Sequence, residues 1–120
     1  MFDRTIALIG QDNLDKIESK HILIIGVGGV GGYAIEALIR SGIHNITLVD
    51  YDNIDISNIN RQIIAKESNV GKLKVEAWKE RINEINSSVL VNTLPLKIDE
   101  NNMKEYRLDI GVVSQEIELF

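Results

Sequence analysis

Short apolar runs alternate with longer segments along the chain, and this pattern predicts strands and helices in turn. His21–Ile25 and Asn45–Asp50 are rich in Ile, Leu and Val, and each has the length of a buried strand. The segment between them, Val30–Ser41, is predicted to form a helix that ends at Gly42, because glycine is common just past a helix end. A strand, a helix and a strand in this order predict parallel pairing with a right-handed crossover.

The second half of the chain continues the alternation. Val75, Trp78, Ile82 and Ile85 recur at helical spacing, which predicts an amphipathic helix over Lys72–Asn86 with its apolar face toward the sheet. Trp78 lies on that face and is expected in the core. The chain after this helix predicts three further elements: a strand at Val89–Leu94, a helix at Glu100–Tyr106 and a strand at Leu108–Val113.

The chain is expected to form one α/β domain over residues 1–120, a Rossmann-like parallel sheet with helices on both faces. Its 120 residues suffice for one hydrophobic core and are too few for two. Residues 1–20 are predicted to form an N-terminal arm, helical or extended, and then a helix in which Leu14 and Ile17 share a face. Residues 51–69 are rich in Asn, Asp and Ser, so they are predicted to form a loop with short helical turns.

The composition is typical of a soluble globular protein. Hydrophobic residues make up 44% of the chain and charged residues 26%. No apolar run approaches the roughly 18 residues of a membrane-spanning helix, and Asp3 and Arg4 come too early for a secretory signal, so a cytoplasmic protein is expected. The net charge of −5 argues against a broad basic surface, so contact with RNA would need a local patch or another chain.

Thiol chemistry and a metal site built from side chains are not expected. The chain has no cysteine, which excludes disulfides, a Cys₄ zinc site and a thiolate nucleophile. His21 and His44 are far apart in the sequence. Each is predicted to lie at a strand edge or on a turn, rather than in a catalytic or metal-binding site.

The segment Gly26–Gly32, between the first strand and the helix after it, carries the strongest functional signal. Gly26, Gly28 and Gly31 satisfy the spacing G-x-G-x-x-G, and Gly29 lies within it. A strand, a glycine turn and a helix N-terminus together surround an anion with backbone N–H groups. These four glycines are therefore predicted to bind the phosphates of a nucleotide.

Asp50 ends the second predicted strand, about 20 residues after Gly31, where an acidic residue in a doubly wound nucleotide fold accepts hydrogen bonds from ribose hydroxyls. The alternative is a structural role, in which Asp50 caps the turn after the strand. The glycine turn and Asp50 together favour the ribose role. They fit an NAD-binding domain as well as an ATP-binding one.

The residues after Asp50 narrow this choice. Ser57-Asn58-Ile59-Asn60-Arg61-Gln62 is followed by Gly71-Lys72-Leu73-Lys74, which opens the next helix. With the glycine turn and the acidic strand end, these segments resemble the adenylating domain of the ubiquitin-activating-enzyme-like (ThiF-type) superfamily. Its members carry an S-N-x-x-R-Q segment and a G-x-x-K segment. The resemblance extends from about Phe2 to Asn86.

The resemblance implies that ATP and Mg²⁺ are the cofactors. It implies that Asp50 holds the ribose and that Asn58 and Arg61 contact the triphosphate. Arginine suits that role because its planar fork matches a phosphate. The structural alternative for Arg61 is a loop residue paired with a nearby acidic side chain.

The resemblance also implies roles for residues at the phosphate end of the nucleotide. Lys74 would neutralise the phosphates that depart as pyrophosphate, and Arg4 would reach the γ-phosphate in the neighbouring subunit of a homodimer. The alternative for Lys74 is a solvated cation on the outer face of its helix. Asp52 would help to hold Mg²⁺ or cap a turn, and Gln62 would position the loop.

Within the superfamily, the chain is similar to the bacterial tRNA threonylcarbamoyladenosine dehydratase branch. The similarity rests on the segments Phe2–Gly10, Glu36–Ile43, Ser57–Ala65 and Glu80–Asn86. In that branch ATP activates the threonyl carboxylate of the modified adenosine in tRNA, and the acyl-adenylate cyclises with loss of AMP. Two alternatives stay open: adenylation of the C-terminus of a sulfur-carrier or ubiquitin-like protein, and an NAD-binding oxidoreductase domain.

The final segment departs from the family pattern. Family members have a further strand that ends in an acidic D-x-x-D-type element, which helps to bind Mg²⁺, and Arg107–Phe120 lacks that pair. A shifted reading frame or a truncated gene is expected to explain this atypical tail. The expectation is a truncated sheet that forms the nucleotide half of the site without the full catalytic site, and whose last strand leaves an unpaired edge.

Overall fold

The computed structural model describes residues 1–99 and 102, and the backbone of residues 111–114. Two short helices, α1 (Asp3–Ile9) and α2 (Gln11–Glu18), precede the first strand. The elements that follow are β1 (His21–Ile25), α3 (Gly29–Ser41), β2 (Asn45–Val49), α4 (Lys74–Ile85), β3 (Leu90–Leu94) and β4 (Gly111–Ser114). Among these described helices, none is long and apolar enough to cross a membrane.

The four described strands are parallel and form one sheet in the order β3-β2-β1-β4. Residue pairs such as Ile24–Leu48 and Leu48–Thr93 keep β1, β2 and β3 in register. Parallel strands bring their carboxyl ends to the same edge, and ligands of such sheets bind outside that edge. The predicted Rossmann-like parallel sheet is confirmed.

The core lies between the sheet and the helices α3 and α4. Ile24 and Leu48 from the sheet, Ile35 from α3 and Trp78 from α4 are fully buried. Trp78 Nε1 also donates a hydrogen bond to the carbonyl oxygen of Val27 at 3.0 Å. The prediction that Trp78 belongs to the core is confirmed, and its hydrogen bond attaches α4 to the turn after β1.

The segment between β2 and α4 contains two 3₁₀ turns, Ile56–Asn58 and Glu67–Asn69, which confirm the predicted loop with short helical turns. The helix α4 then begins two residues after the predicted Lys72. Asn53 and Leu73 form a β-bridge, and the Ile54 N–H donates to the carbonyl of Lys72 at 2.8 Å. Because the backbone groups of Lys72 and Leu73 pair with residues 53 and 54, the helix begins at Lys74 and not at the predicted Lys72.

The predicted carboxyl-terminal elements are only partly described. The predicted strand Leu108–Val113 overlaps β4, which pairs with β1 and lies at one edge of the described sheet. Residues 108–110 lie outside the described residues. The predicted helix Glu100–Tyr106 also lies outside them, apart from Asn102.

Candidate functional site

The glycine turn lies between β1 and α3, at the carboxyl edge of the sheet. Gly26 has a φ of +86°, a conformation that favours glycine, and its N–H donates to the carbonyl of Val49 at 2.8 Å. A Cβ on Gly31 would stand 1.8 Å from the carbonyl oxygen of Gly26, so this position has no room for a side chain. The first turn of α3 follows directly, so its N-terminus lies at this turn.

Asp50 joins the glycine turn to the end of β2. One carboxylate oxygen accepts the Val27 N–H at 3.0 Å, and the other accepts the Asp52 N–H at 2.8 Å. Asp50 is 9% exposed. The structure therefore shows the turn-capping role, and the same two hydrogen bonds hold the carboxylate at the edge where nucleotides bind. The contact with a ribose stays a prediction.

Lys74 is buried beside Asp52, at the start of α4. Its side chain is 7% exposed, and Nζ lies 3.8 Å from Asp52 Oδ2. The Lys74 N–H also donates to the carbonyl of Asp52 at 3.0 Å. The alternative of a solvated cation on the outer face of the helix is wrong. Because burying an ammonium group costs free energy, the buried position of Lys74 favours a functional role.

A cavity of about 270 Å³ brings together four of the predicted residues: Gly26, Asp50, Asp52 and Lys74. Leu96, Lys97 and Ile98, which follow β3, also line it. The sequence patterns did not single out these three residues. A signal was available, because a segment that leaves the carboxyl end of one parallel strand comes to the same edge as the other strand ends.

Asn58 orders the first 3₁₀ turn. It is 7% exposed, and its Oδ1 accepts the Asp55 N–H at 2.8 Å, while Asp55 Oδ2 accepts the Ser57 N–H at 2.9 Å. Hydrogen bonds from the side chain and backbone of Ser57 hold the pKa of Asp55 below its ordinary value. The two side chains form a capping box, so Asn58 has a structural role here. Its contact with a triphosphate stays a prediction.

Arg61 and Arg4 lie outside the lining of the cavity. Arg61 is exposed, and its Nη1 donates to the carbonyl of Ser57 at 2.9 Å and to Asn60 Oδ1 at 3.1 Å. Neutral acceptors thus hold the guanidinium, rather than the acidic side chain of the structural alternative. Arg4 is exposed on α1. The phosphate contacts of both arginines stay predictions.

Gln62 lies against the glycine turn. It is 9% exposed, and its Oε1 is buried without a hydrogen-bond partner among the described residues. A Cβ on Gly28 would stand 3.1 Å from Gln62 Nε2, whereas a Cβ on Gly29 would meet no atom of the described residues within 4 Å. Gly28 therefore faces the loop, and its contact with Gln62 distinguishes it from Gly29.

The residues present fit an Mg²⁺ ion that is held mainly by a nucleotide. Within residues 1–99 and 102, no group of three or more His, Cys, Asp or Glu side chains comes together. Asp52 offers a carboxylate that is 52% exposed and lines the cavity. Mg²⁺ commonly binds one or two carboxylates of a protein, and phosphates and water complete its coordination shell. Asp52 can therefore supply the carboxylate ligand.

Known proteins share this arrangement of sequence and fold. The model of the ThiF family matches residues 2–115, which is beyond the Asn86 limit of the resemblance seen in the sequence. The chain is 44% identical over 99 residues to the tRNA threonylcarbamoyladenosine dehydratase of Haemophilus influenzae, and 41% identical over 111 residues to that of Bacillus subtilis. These alignments cover 82% and 92% of this chain but 38% and 43% of the relatives, so the chain spans less than half of their length.

A solved structure of the Escherichia coli tRNA N6-threonylcarbamoyladenosine dehydratase in complex with ATP has the same fold in the matching part. The TM-score is 0.89 at 38% sequence identity, and the match covers 95% of this chain and 48% of that one. The glycine turn, Asp50 and Lys74 all lie within the residues that the family model matches. The chain belongs to the ThiF family.

Proposed function

We propose that the chain binds ATP at the carboxyl edge of its sheet, and that the protein uses this ATP to adenylate a carboxylate. The observation that carries the proposal is that Asp50 and the buried Lys74 line one cavity next to the glycine turn. Asp50 would accept hydrogen bonds from the ribose, and the glycine turn would hold phosphates. An NAD-binding domain would use both features but leaves the buried Lys74 unexplained.

Adenylation requires positive charge where the departing phosphates gain negative charge. A carboxylate oxygen attacks the α-phosphorus, the bond from that phosphorus to the bridging oxygen breaks, and pyrophosphate leaves. Lys74 supplies a compact charge that acts strongly because it is removed from bulk water. Arg61 would release its hydrogen bond to the Ser57 carbonyl and bind the triphosphate instead. Asp52 would bind the Mg²⁺ ion, which neutralises further negative charge on the phosphates.

The most specific form of the proposal takes threonylcarbamoyladenosine in tRNA as the substrate, because two relatives bear the name of the enzyme that dehydrates it. The threonyl carboxylate would be adenylated, and the acyl-adenylate would cyclise with loss of AMP. The protein would act as a cytoplasmic homodimer. In this dimer, Arg4 of each subunit would reach the γ-phosphate bound to the other subunit.

Titration calorimetry with ATP and with NAD tests the choice of nucleotide. ATP should bind, and NAD should bind at least about tenfold more weakly, a difference of about 1.4 kcal/mol. Asp50→Asn should weaken the binding of ATP, because it removes the charge that accepts the ribose hydroxyls and replaces one of the two oxygens that accept backbone N–H groups of the turn. Tighter binding of NAD than of ATP would favour the oxidoreductase alternative.

Incubation of the purified protein with ATP and tRNA tests both the choice of substrate and the expectation that this chain lacks the full catalytic site, because no turnover with any substrate would support that expectation. AMP and pyrophosphate should form only when the tRNA carries threonylcarbamoyladenosine, and mass spectrometry should show that the modified nucleoside has lost one water. Unmodified tRNA is the negative control. A sulfur-carrier protein with a free C-terminus forms a second arm, and adenylation of that protein alone would show that the tRNA assignment is wrong.

A further inference from the structure

The outer face of α1 carries an exposed apolar side chain beside a cation. Phe2, Ile6 and Ile9 recur at helical spacing and are half-buried, so they form the inner face of this helix, which packs on α2. Leu8 is 85% exposed and lies on the outer face, one turn after Arg4. None of the seven residues of α1, all of which the structure describes, is buried. The apolar side chain of Leu8 is therefore available to a partner.

A second group of exposed apolar residues borders the glycine turn. Val30 and Tyr33, which are three residues apart on the first turns of α3, are 64% and 58% exposed. Ile56 and Ile59, in the first 3₁₀ turn and directly after it, are exposed as well. These four residues are here called the α3 surface.

Contacts hold the first 3₁₀ turn beside the start of α3. A Cβ on Gly28 would stand 3.1 Å from Gln62 Nε2, and a Cβ on Gly32 would stand 3.7 Å from Ile63 Cγ2. The Gln62 N–H in turn donates to the carbonyl of Asn58 at 2.8 Å. Both halves of the α3 surface thus border the glycine turn. Single exposed apolar side chains are common on proteins, whereas a group of them beside a site is typical of an interface.

We propose that Leu8 of one copy of the chain packs on the α3 surface of a second copy, and that Leu8 of the second copy packs likewise on the first. This inference rests on the homodimer of the proposed function, and it assigns the residues that hold the two copies together. Arg4 lies about 6 Å from Leu8 along the helix axis, so this docking brings its guanidinium to the phosphate end of the other copy's nucleotide site. Both surfaces belong to one chain, so two identical contacts close a twofold dimer.

The charges beside the α3 surface favour α1 as its occupant. Phosphates are predicted to bind at the adjacent glycine turn, so an occupant should be apolar and should bring positive rather than negative charge. Leu8 supplies the apolar side chain and Arg4 supplies the positive charge. Asp3, the acidic residue of α1, lies five residues before Leu8 and is therefore about 140° away from it around the helix axis.

Cysteine cross-linking tests this docking, because the chain contains no native cysteine. One preparation carries Leu8→Cys, and the other carries Val30→Cys, Tyr33→Cys or Ile59→Cys. After subunit exchange, a short bis-maleimide should give a covalent mixed dimer for at least one of the three pairs, and different tags on the two chains identify it. Leu90→Cys is the matched control, because Leu90 is 65% exposed but lies at the amino end of β3, away from the nucleotide edge. It should not cross-link to Leu8→Cys.

Leu8→Asp tests the energetic importance of the same contact. The dissociation constant of the dimer, measured by analytical ultracentrifugation, should rise about 100-fold or more, because each of the two symmetric contacts loses about tenfold. Circular dichroism should show an unchanged fold, since Leu8 is exposed within its own chain. ATP should bind this variant more weakly than the wild type, whereas AMP, which has no γ-phosphate for Arg4 to reach, should bind equally well.

These measurements separate this inference from the proposed use of ATP. A wild type that stays monomeric, or a dimer that gives none of the three cross-links, overturns the docking. Protection of Leu8→Cys from a single maleimide in a monomer would show that another segment of the same chain covers Leu8, and would overturn it too. Cross-linked mixed dimers of a protein that does not bind ATP would support the docking and contradict the proposed function.

Discussion

Substitutions of Gly31 and Lys74 should have different effects, because each residue has a different close contact. At Gly31 the nearest atom to an added Cβ belongs to the backbone of Gly26, which cannot rotate away as a side chain can. At Lys74 the important atom is the charged Nζ, which lies 3.8 Å from Asp52 Oδ2 at the cavity. The first residue sets the shape of the turn and the second sets the charge beside it, so their substitutions should affect different properties.

Gly31→Ala should lower the free energy of unfolding by about 3 kcal/mol or more, because the new methyl group would overlap a backbone oxygen and force the turn apart. Urea unfolding followed by circular dichroism measures the change. Gly29→Ala is the control, since a Cβ there meets nothing within 4 Å in the part of the chain that the structure describes. Equal stabilities for the two variants would show that the close approach at Gly31 is not a constraint.

In a form of the protein that has the full catalytic site, Lys74→Met should preserve the fold and lower ATP–pyrophosphate exchange by about 100-fold, the usual loss when one group that stabilises transition-state charge is removed. Methionine keeps much of the apolar stem and removes the charge. Lys72→Met is the matched control, because Lys72 Nζ pairs with Glu80 Oε1 at 2.7 Å and the residue does not line the cavity. Similar losses in both variants would contradict a specific role for Lys74.

At the scale of elements, the ion pair of Glu36 with Arg81 connects α3 to α4, the two helices that pack on the sheet. Arg81 Nε of α4 donates a short hydrogen bond to Glu36, and Arg40 Nε contacts the other carboxylate oxygen at 3.0 Å. The Arg81 guanidinium also lies 6.0 Å from the centre of the Trp78 ring. Burial raises the pKa of Glu36, but the hydrogen bonds and charges of the two arginines outweigh it and hold the pKa below its ordinary value.

Stability should depend on pH through this contact. The pKa of Glu36 is lower in the folded state than the ordinary value of 4.5, so its stabilising effect is complete above that value and is lost as the pH falls through the folded pKa. Glu36→Gln should reduce stability at neutral pH by about 1 kcal/mol and make the loss of stability below pH 4.5 shallower. Melting temperatures across an acid series measure both effects. Glu84→Gln changes an exposed glutamate of α4 and should keep the wild-type acid profile.

For the whole molecule, the parallel sheet determines where the site is assembled. The cavity is lined by residues at the ends of β1 and β2, by residues 96–98, which follow β3, and by Lys74 at the start of α4, so distant parts of the chain meet at one edge. Arg4 lies on α1 outside that lining, where it is exposed. Its predicted role therefore depends on a second copy of the chain, which links the proposed dimer to the proposed reaction.

Mixing two inactive variants tests whether the site is shared between subunits. Arg4→Ala and Lys74→Met should each abolish most pyrophosphate exchange. In a mixed dimer, the site with an intact Lys74 receives Arg4 from its partner. Random mixing should restore about a quarter of the wild-type activity, because half of the dimers are mixed and each has one complete site. No recovery, with dimers verified by light scattering, would show that Arg4 does not act across the interface.

Features that depend on neighbours along the chain could be predicted before any tertiary contact was known. The strand, glycine turn and helix around Gly26–Gly32 follow from apolar runs and from the backbone freedom of glycine, which are local properties. The same holds for Asp50 at a strand end and for Trp78 on an apolar helix face. The parallel sheet could be predicted too, because alternating strands and helices allow few other arrangements.

Other features required the folded chain, because they arise from contacts between residues that are far apart in sequence. The Asn53–Leu73 bridge moves the start of α4 to Lys74, and Lys74 is then buried next to Asp52. Residues 96–98 reach the cavity only because β3 pairs with β2. The sequence likewise did not predict that Gln62 Oε1 has no hydrogen-bond partner among residues 1–99 and 102, because burial and hydrogen bonding depend on every surrounding element and no local pattern encodes them.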